Sequence, residues 1–452
     1  MLQGVPYTKA DFGADFKWGV ASAAYQIEGA WNVDGKSPSI WDTFTHEKGN
    51  VLNNDTGDVA CEFYTRYPQD IPTAASLNVD AFRFSLAWTR ILPEGTGNVN
   101  HRGLDFYKRV VDTCLENSLE PWVTIYHWDL PQILQDKGGW ANRDVIGWFS
   151  EYTDVVTRAL GDRVKHWMIF NEPAAFVSLG YMLGMHAPGK KSLGKFLKAT
   201  HYVNLSMAEG GRIARANVEQ GKIGSTWSCS HVEPKDPDNP RDLRSVRRMD
   251  ALLNRLFIEP SLGLGYPTDG FSLLRRIEKL HEPGDEQKLL FDFDFYGLQN
   301  YFRAVVKHAL FPPFVWTKQV EADELDTDVK TTEMGWEVFP PGIYRILMQF
   351  HERYNLPKII VTENGAAFPD RVEDGRVHDK DRVQYYQDYI GQVLRAKRAG
   401  APIEGYFAWT FMDNFEWAEG YHPRFGLVHV NYDTQQRIVK DSGRWFRAFL
   451  GE

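Results

Sequence analysis

"AFRFSLAWTRILPEGTGNVNHRGLDFYKRVVDTCLENSLEPWVTIYHWD", residues 81–129, holds one complete unit of the fold. It opens on an apolar and aromatic run, AFRFSLAW, of strand length. A stretch with 3.6-residue periodicity follows from residue 102, RGLDFYKRVVDTCLENS, and a second apolar run, PWVTIYHW, begins at 121. Two strands separated by a helix pair in parallel through a right-handed crossover. The unit recurs along the whole chain. Strand-like runs stand at 16 (FKWGVASA), 166 (HWMIFNEP), 222 (KIGSTWSCS), 294 (DFYGLQNYF), 358 (KIIVTENG) and 405 (GYFAWTFMD), with helical periodicity again over 145–161 and 382–400. Eight runs with no linker between them predict an α/β fold, a single (β/α)8 TIM barrel occupying residues 1–452 as one domain, in preference to an open doubly wound sheet. The Pro- and charge-rich stretches EPKDPDNPRDLRS from 233 and WTKQVEADELDTDVKTT from 316 read as long loops decorating the barrel.

Composition narrows the function. The 452 residues are 43% hydrophobic and 25% charged, and the formal net charge of −9 arises from 60 acidic against 51 basic residues, evenly interspersed. No basic stripe offers itself to nucleic acid, so none is expected as a partner. Three scattered cysteines, Cys61, Cys114 and Cys229, suit neither a disulfide framework nor a metal site and read as packing residues in a reducing compartment. The opening residues lack a basic segment followed by an apolar one, and no 18-residue uncharged apolar run occurs, which predicts a cytoplasmic protein without a membrane partner. The sequons at Asn54 and Asn204 matter only for a secreted chain. The histidines show no paired ligand spacing, so no metal and no cofactor are expected. Oligomeric state is open at this level.

In a parallel barrel the C-terminal ends of the strands face the cleft, and polar residues gather there: Arg83, His127, Asn171, Glu172, Tyr301, Glu363 and Trp409. One polar strand end is ordinarily a hydrogen-bonding group of no special use. Several converging on one mouth, two of them carboxylates in MIFNEP (168–173) and IVTENG (360–365), suggest the acid and nucleophile, or acid and base, of glycoside hydrolysis.

Those two stretches, in this order, resemble the acid/base and nucleophile motifs of the family 1 glycoside hydrolases. The resemblance also covers FKWGVASAAYQIEGAWNVDGKSPSIWDTF (16–44), FRFSLAWTRILPEG (82–95), YHWDLPQ (126–132), GYMLGMHAPG (180–189) and DNFEWAEGYHPRFGLVHV (413–430). It implies a retaining exo-glycosidase, with Glu363 as nucleophile, kept ionised by Arg83, Tyr301 and Asn171, and Glu172 as general acid and later base. The neighbouring carboxylate should raise the pKa of Glu172. It further implies a glycone site of Gln26, His127, Asn171, Trp409, Glu416 and Trp417, and an aglycone wall that includes Trp336. Glu416 would repel a phosphate dianion, which disfavours the 6-phospho-glycosidases of the family, and Glu172 distinguishes the chain from thioglucoside-cleaving members, which lack that acid. A β-glucosidase acting on short β-oligosaccharides and aryl β-glucosides follows, with side activity on β-galactosides and β-fucosides. A β-galactosidase or 6-phospho-β-glucosidase on the same scaffold is the runner-up. A silent sugar-binding protein is the rival class, disfavoured because both glutamates are present. Two departures from the family pattern stand out: Ala174 where bulkier residues are common, suggesting a roomier entrance, and Gln299 where Asn is usual. The aglycone pocket is expected to be shaped by 174–181 and the 306–334 loop.

Overall fold

A computed structural model describes residues 5–311, 315–325 and 329–451 of the chain. Eight parallel strands close into a barrel, and we number them in chain order: β1 Lys17–Ala21, β2 Ala81–Ser85, β3 Glu120–Tyr126, β4 His166–Asn171, β5 Lys222–Ser228, β6 Phe295–Gln299, β7 Ile359–Asn364 and β8 Ile403–Trp409. Each pairs with the next, and β8 returns to β1. All eight apolar runs of the sequence are therefore barrel strands. Helices follow where the periodicity predicts them, including His101–Glu116, Val145–Leu160 and Lys380–Arg398. Among the described residues no helix is long and apolar enough to cross a membrane.

The barrel interior is layered. Ala81, Trp122, Met168, Phe295, Ile360 and Phe407 form one apolar cluster at the lower level. Phe407 lies so close to Gly19 that a Cβ there would meet its ring at 2.3 Å. Two residues further along, alternation brings the next inward set, Arg83, Thr124, Thr226, Gly297 and Thr362. A Cβ on Gly297 would meet Thr226 Cγ2 at 2.7 Å and Thr362 Oγ1 at 2.8 Å, which explains the glycine.

Above this level two strands break step. In β4 the pairing with β5 shifts between Met168 and Asn171. Phe170 consequently turns outward to stack on Phe149, centroids 4.7 Å apart, while Asn171 turns into the barrel. In β7 the pairing with β6 shifts between Val361 and Glu363. Glu363 then points inward directly after Thr362, and Asn364 points outward, donating to Tyr385 Oη at 3.0 Å. A one-residue irregularity re-aims every side chain beyond it. Both candidate carboxylates sit immediately above such a shift.

Two readings of the connections need correction. The stretch from 233 is not simply loop: it continues a short strand, Val232–Pro234, and enters a helix, Pro240–Asp250, whose N-cap Asn239 accepts from Arg241 N at 2.9 Å. The stretch from 316 contains a strand, Thr317–Gln319, which joins Ala304–His308 and Val232–Pro234 in a three-stranded sheet. Parts of the expected 306–334 aglycone loop, 312–314 and 326–328, lie outside the described residues. The three cysteines are buried and unbridged, and Asn204 is buried within helix Leu193–Asn217, which leaves its sequon inaccessible.

Candidate active site

Arg83, on β2 and fully buried, organises the barrel mouth. Nη1 donates to Glu363 Oε1, Nη2 to Asn171 Oδ1, and Nε to Thr124 Oγ1 at 3.2 Å. One guanidinium thereby ties β2 to β3, β4 and β7, and its planar fork suits two acceptors at once. The other oxygen of Glu363 accepts from Tyr301 Oη at 2.5 Å. Burial, then the negative charge of Glu363, pushes the Tyr301 hydroxyl far above its ordinary range, so it stays a donor.

Asn171 does not hold Glu363 directly, which corrects that expectation. Its Oδ1 accepts from Arg83, from Thr226 Oγ1 at 2.9 Å and from Gln299 Nε2 at 2.8 Å. Asn171 acts on Glu363 through the shared arginine. Gln299 is resolved by the same contacts: its amide reaches back to Asn171 and to Thr226 at 3.1 Å rather than toward an aglycone. Thr124 and Thr226, which the sequence did not single out, are legible afterwards as inward residues of β3 and β5 beneath the polar ends.

With Oδ1 of Asn171 committed to donors, its Nδ2 donates to His127 Nε2 at 3.0 Å. His127 is buried, and burial together with Arg83 holds its pKa well below the usual range, so the imidazole is neutral. A neutral ring that accepts at Nε2 carries its proton on Nδ1. That Nδ1 is buried without a partner among the described residues, as are Gln26 Oε1 and Glu172 Oε1.

Glu172 directly follows Asn171 and sits at φ 46°, ψ 64°, a left-handed conformation that costs a non-glycine residue on the order of 1 kcal/mol or more. Pro173 starts the helix Pro173–Val177 right after it. Glu172 is 8% exposed, and burial first, then the charge of Glu363, raises its pKa to about 8. The sequence suggested the neighbouring carboxylate as the cause; desolvation is the larger one. Burial lifts Glu363 too, but Arg83 and Tyr301 oppose it with charge and hydrogen bonds. Burial thus lifts both carboxyl groups, Glu172 to about 8, and it is Glu363 that carries the direct bonds of Arg83 and Tyr301.

On the other side of the mouth, Gln26 Nε2 lies 3.3 Å from Glu416 Oε2 and donates to Phe415 O at 2.8 Å and Asn414 Oδ1 at 3.1 Å. Burial, then Glu363, raises the partly buried Glu416 to about 8. The ring of His127 runs nearly parallel to Trp409 and Trp417, with centroids 6.1 and 5.8 Å away. Flat rings, an amide, an imidazole N–H and a carboxyl group make a surface for a polyhydroxylated ring with apolar C–H faces. Trp336 packs with Tyr301 (5.5 Å), Phe302 (5.1 Å) and Phe425 (6.2 Å), against the cluster that also holds Trp409.

One group among the described residues, Asp370, Asp413 and His429, clusters closely enough to hold a metal ion. Lys440 Nζ already bonds both of its carboxylates, at 2.6 Å for Asp413, so an ammonium takes the place of a cation there.

The model of glycosyl hydrolase family 1 matches residues 8–452. The chain is 47% identical over 437 residues to beta-glucosidase A of Thermotoga maritima, covering 96% of each. It is 45% identical to the 1,4-beta-D-glucan glucohydrolase of Thermotoga neapolitana, covering 96% of this chain and 97% of the other. The fold superposes on the beta-glucosidase from Thermotoga maritima in complex with glucoimidazole with a TM-score of 0.92 at 46% identity, over 97% of this chain and 98% of that one.

Proposed function

The chain belongs to glycosyl hydrolase family 1 and is a glycoside hydrolase, and from that premise we propose that it is a retaining, exo-acting β-glucosidase that releases terminal β-D-glucosyl residues from short oligosaccharides and aryl glucosides. One observation carries the mechanistic reading: a single buried arginine grips both Glu363 and the residue before Glu172. Retention needs carboxyl groups about 5 Å apart, against about 6.5–9.5 Å for inversion, and a shared guanidinium supports the shorter spacing.

Glu363 attacks the anomeric carbon while Glu172 gives its proton to the departing oxygen, leaving a glycosyl ester on Glu363 and a free alcohol. Glu172, now ionised, takes a proton from water as the water oxygen attacks the same carbon. Glucose leaves, and both carboxyl groups return to their starting states. Neutralising Glu363 as an ester removes one cause of the raised pKa of Glu172, which suits its change from acid to base. Gln26, His127, Trp409, Glu416 and Trp417 bind the glycone, with His127 donating from Nδ1. Trp336 borders the aglycone. Relatives named for glucosides and glucans favour unphosphorylated glucose over galactose.

The test is chemical rescue. Glu363→Ala should lose turnover of 4-nitrophenyl β-glucoside, and added azide should restore release of nitrophenol with formation of the α-glucosyl azide. A β-glucosyl azide product would remove Glu363 from the nucleophile role.

A further inference from the structure

Next to Asp129 lies a narrow cavity of about 10 Å³, lined in part by Glu28, Lys36, Ser39, Asp42 and Asp129. Its open bore admits about one water-sized sphere, which excludes a sugar. Three carboxylates meet two cations here. Glu28 takes a two-pronged bond from Arg90, at 2.9 and 3.1 Å, and Asp42 pairs with Lys36 at 2.9 Å. Asp129 has no cation of its own. It is 2% exposed, and neither carboxylate oxygen has a hydrogen-bond partner among the described residues; Asp42 Oδ1 is likewise buried and unpartnered.

A buried carboxylate without a partner costs several kcal/mol, so it takes up a proton, an ion or a bridging molecule. Burial raises Asp129 to about 8, against the pull of Lys36 and with the push of Glu28 and Asp42. The charge of Asp129 also reaches the hydroxyls of Tyr126 and Tyr152, which burial holds protonated and which bond Trp140, Leu86 and Ile125 instead. A proton therefore balances the charge near neutral pH. It leaves the hydrogen bonds unmade: the acid O–H still needs an acceptor and the second oxygen a donor. A water can serve both and also reach Asp42.

We propose that this cavity is a binding site for one ordered water bridging Asp129 and Asp42, and that Asp129, through it, is a positioning residue for the glycone wall. The route to the site is short. Trp128 stands between Asp129 and His127 with φ 82°, and its Nε1 donates to Asn171 O at 2.9 Å. A shift of Asp129 thus moves both His127 and the backbone just before Glu172. This second half rests on the glycone reading of His127.

A high-resolution crystal structure of the unaltered protein should show one water within hydrogen-bond distance of Asp129 and Asp42. An empty cavity overturns the site, and an anomalous peak after soaking in rubidium chloride overturns water in favour of a monovalent cation. Asp129→Leu should raise KM for 4-nitrophenyl β-glucoside about tenfold with kcat changed less than threefold, and Asp129→Asn should recover most of that loss. Equal losses in both variants, or an unchanged KM in the leucine variant, overturn the positioning role. His127→Ala serves as the control: if its KM is unchanged, the glycone reading fails while the water site stands on the crystal structure. Should Asp129→Leu not fold, Asp129→Ala takes its place, with the same rise in KM expected and an unchanged KM overturning the positioning role.

Discussion

Two clusters of buried carboxylates, one in the barrel mouth and one behind it, have opposite fates. In the mouth Arg83 is bonded to Glu363 alone of the three glutamates, its charge also acts on Glu172, Glu416 has only the amide of Gln26 beside it, and burial raises all three pKa values. Around Asp413 the acids are matched. Lys440 bonds Asp413 and Asp370, Arg382 bonds Asp370 and Asp379, and Arg424 bonds Asp413 at 3.2 Å. Burial would raise Asp413, but Lys440, His429 and Arg424 outweigh it and hold the carboxyl well below the usual range. The difference teaches that burial alone does not fix what a carboxylate does; the number of cations beside it does. The matched cluster anchors the start of the segment that delivers Glu416 and Trp417, and the undermatched one is left reactive.

The largest break in this comparison is Glu363→Ala, expected to cost about 10⁴-fold or more in kcat with the fold retained, measured with an aryl glucoside alongside a thermal melt. Next comes Lys440→Met, which strands Asp413 and Asp370 without their ammonium. It should cost about 3–5 kcal/mol in urea unfolding, and an unchanged midpoint would deny that matching matters.

Glu172→Gln tests the opposite sign. A carboxyl group raised on folding favours the folded state below its unfolded pKa, and that advantage is lost as pH rises through about 8. The glutamine variant should therefore be the more stable protein at pH 8, by an amount on the order of 1–3 kcal/mol, while losing most of its turnover on poor leaving groups. Asp413 runs the other way. Its contribution is full above the ordinary carboxylate range and disappears as pH falls through its depressed value, so acid should unfold the wild type in part by this route.

A smaller effect concerns rate. The kcat/KM of the wild type should fall on the alkaline side with an inflection near pH 8 as free Glu172 and Glu416 ionise, and Glu172→Gln should leave only the shallower limb of Glu416. The smallest is Gln299→Leu. Arg83 and Thr226 still orient Asn171, so a loss of about three- to tenfold is expected, and Gln299→Asn should differ from the leucine variant if the amide bond to Asn171 is what counts.

The eight strands were legible because each is a short apolar run between helix-length segments, and the two glutamates because each ends such a run. Helix Pro240–Asp250 was hidden by composition: its Pro, Asp and Arg content reads as loop, although Asn239 followed by Pro240 is a helix-start signal that outranks it. The facing of Phe170 and Asn171 was not legible at all. WMIF is apolar throughout, so alternation offers no clue to which side is inside, and the shift at Asn171 shows only in the pairing with β5. The bonds of Asn171 to Thr226 and Gln299 cross strands 55 and 128 residues away in the chain, where spacing carries no information. Asp129, one residue past Trp128 in the quoted YHWDLPQ, went unremarked because a carboxylate after a strand ordinarily finds a partner.

The pairing shifts in β4 and β7 make these strands double-jointed. Below each shift the strand serves the apolar cluster of Met168 and Ile360, and above it the cleft. Strict alternation through either joint, with every residue kept, would leave the foundation untouched and turn the upper segment over, setting Phe170 or Asn364 toward the cleft and Asn171 or Glu363 among the helices. Such a chain would keep its shape and its sheet but lose its chemistry, so one extra residue in each of two strands separates a hydrolase from an inert barrel of the same outline.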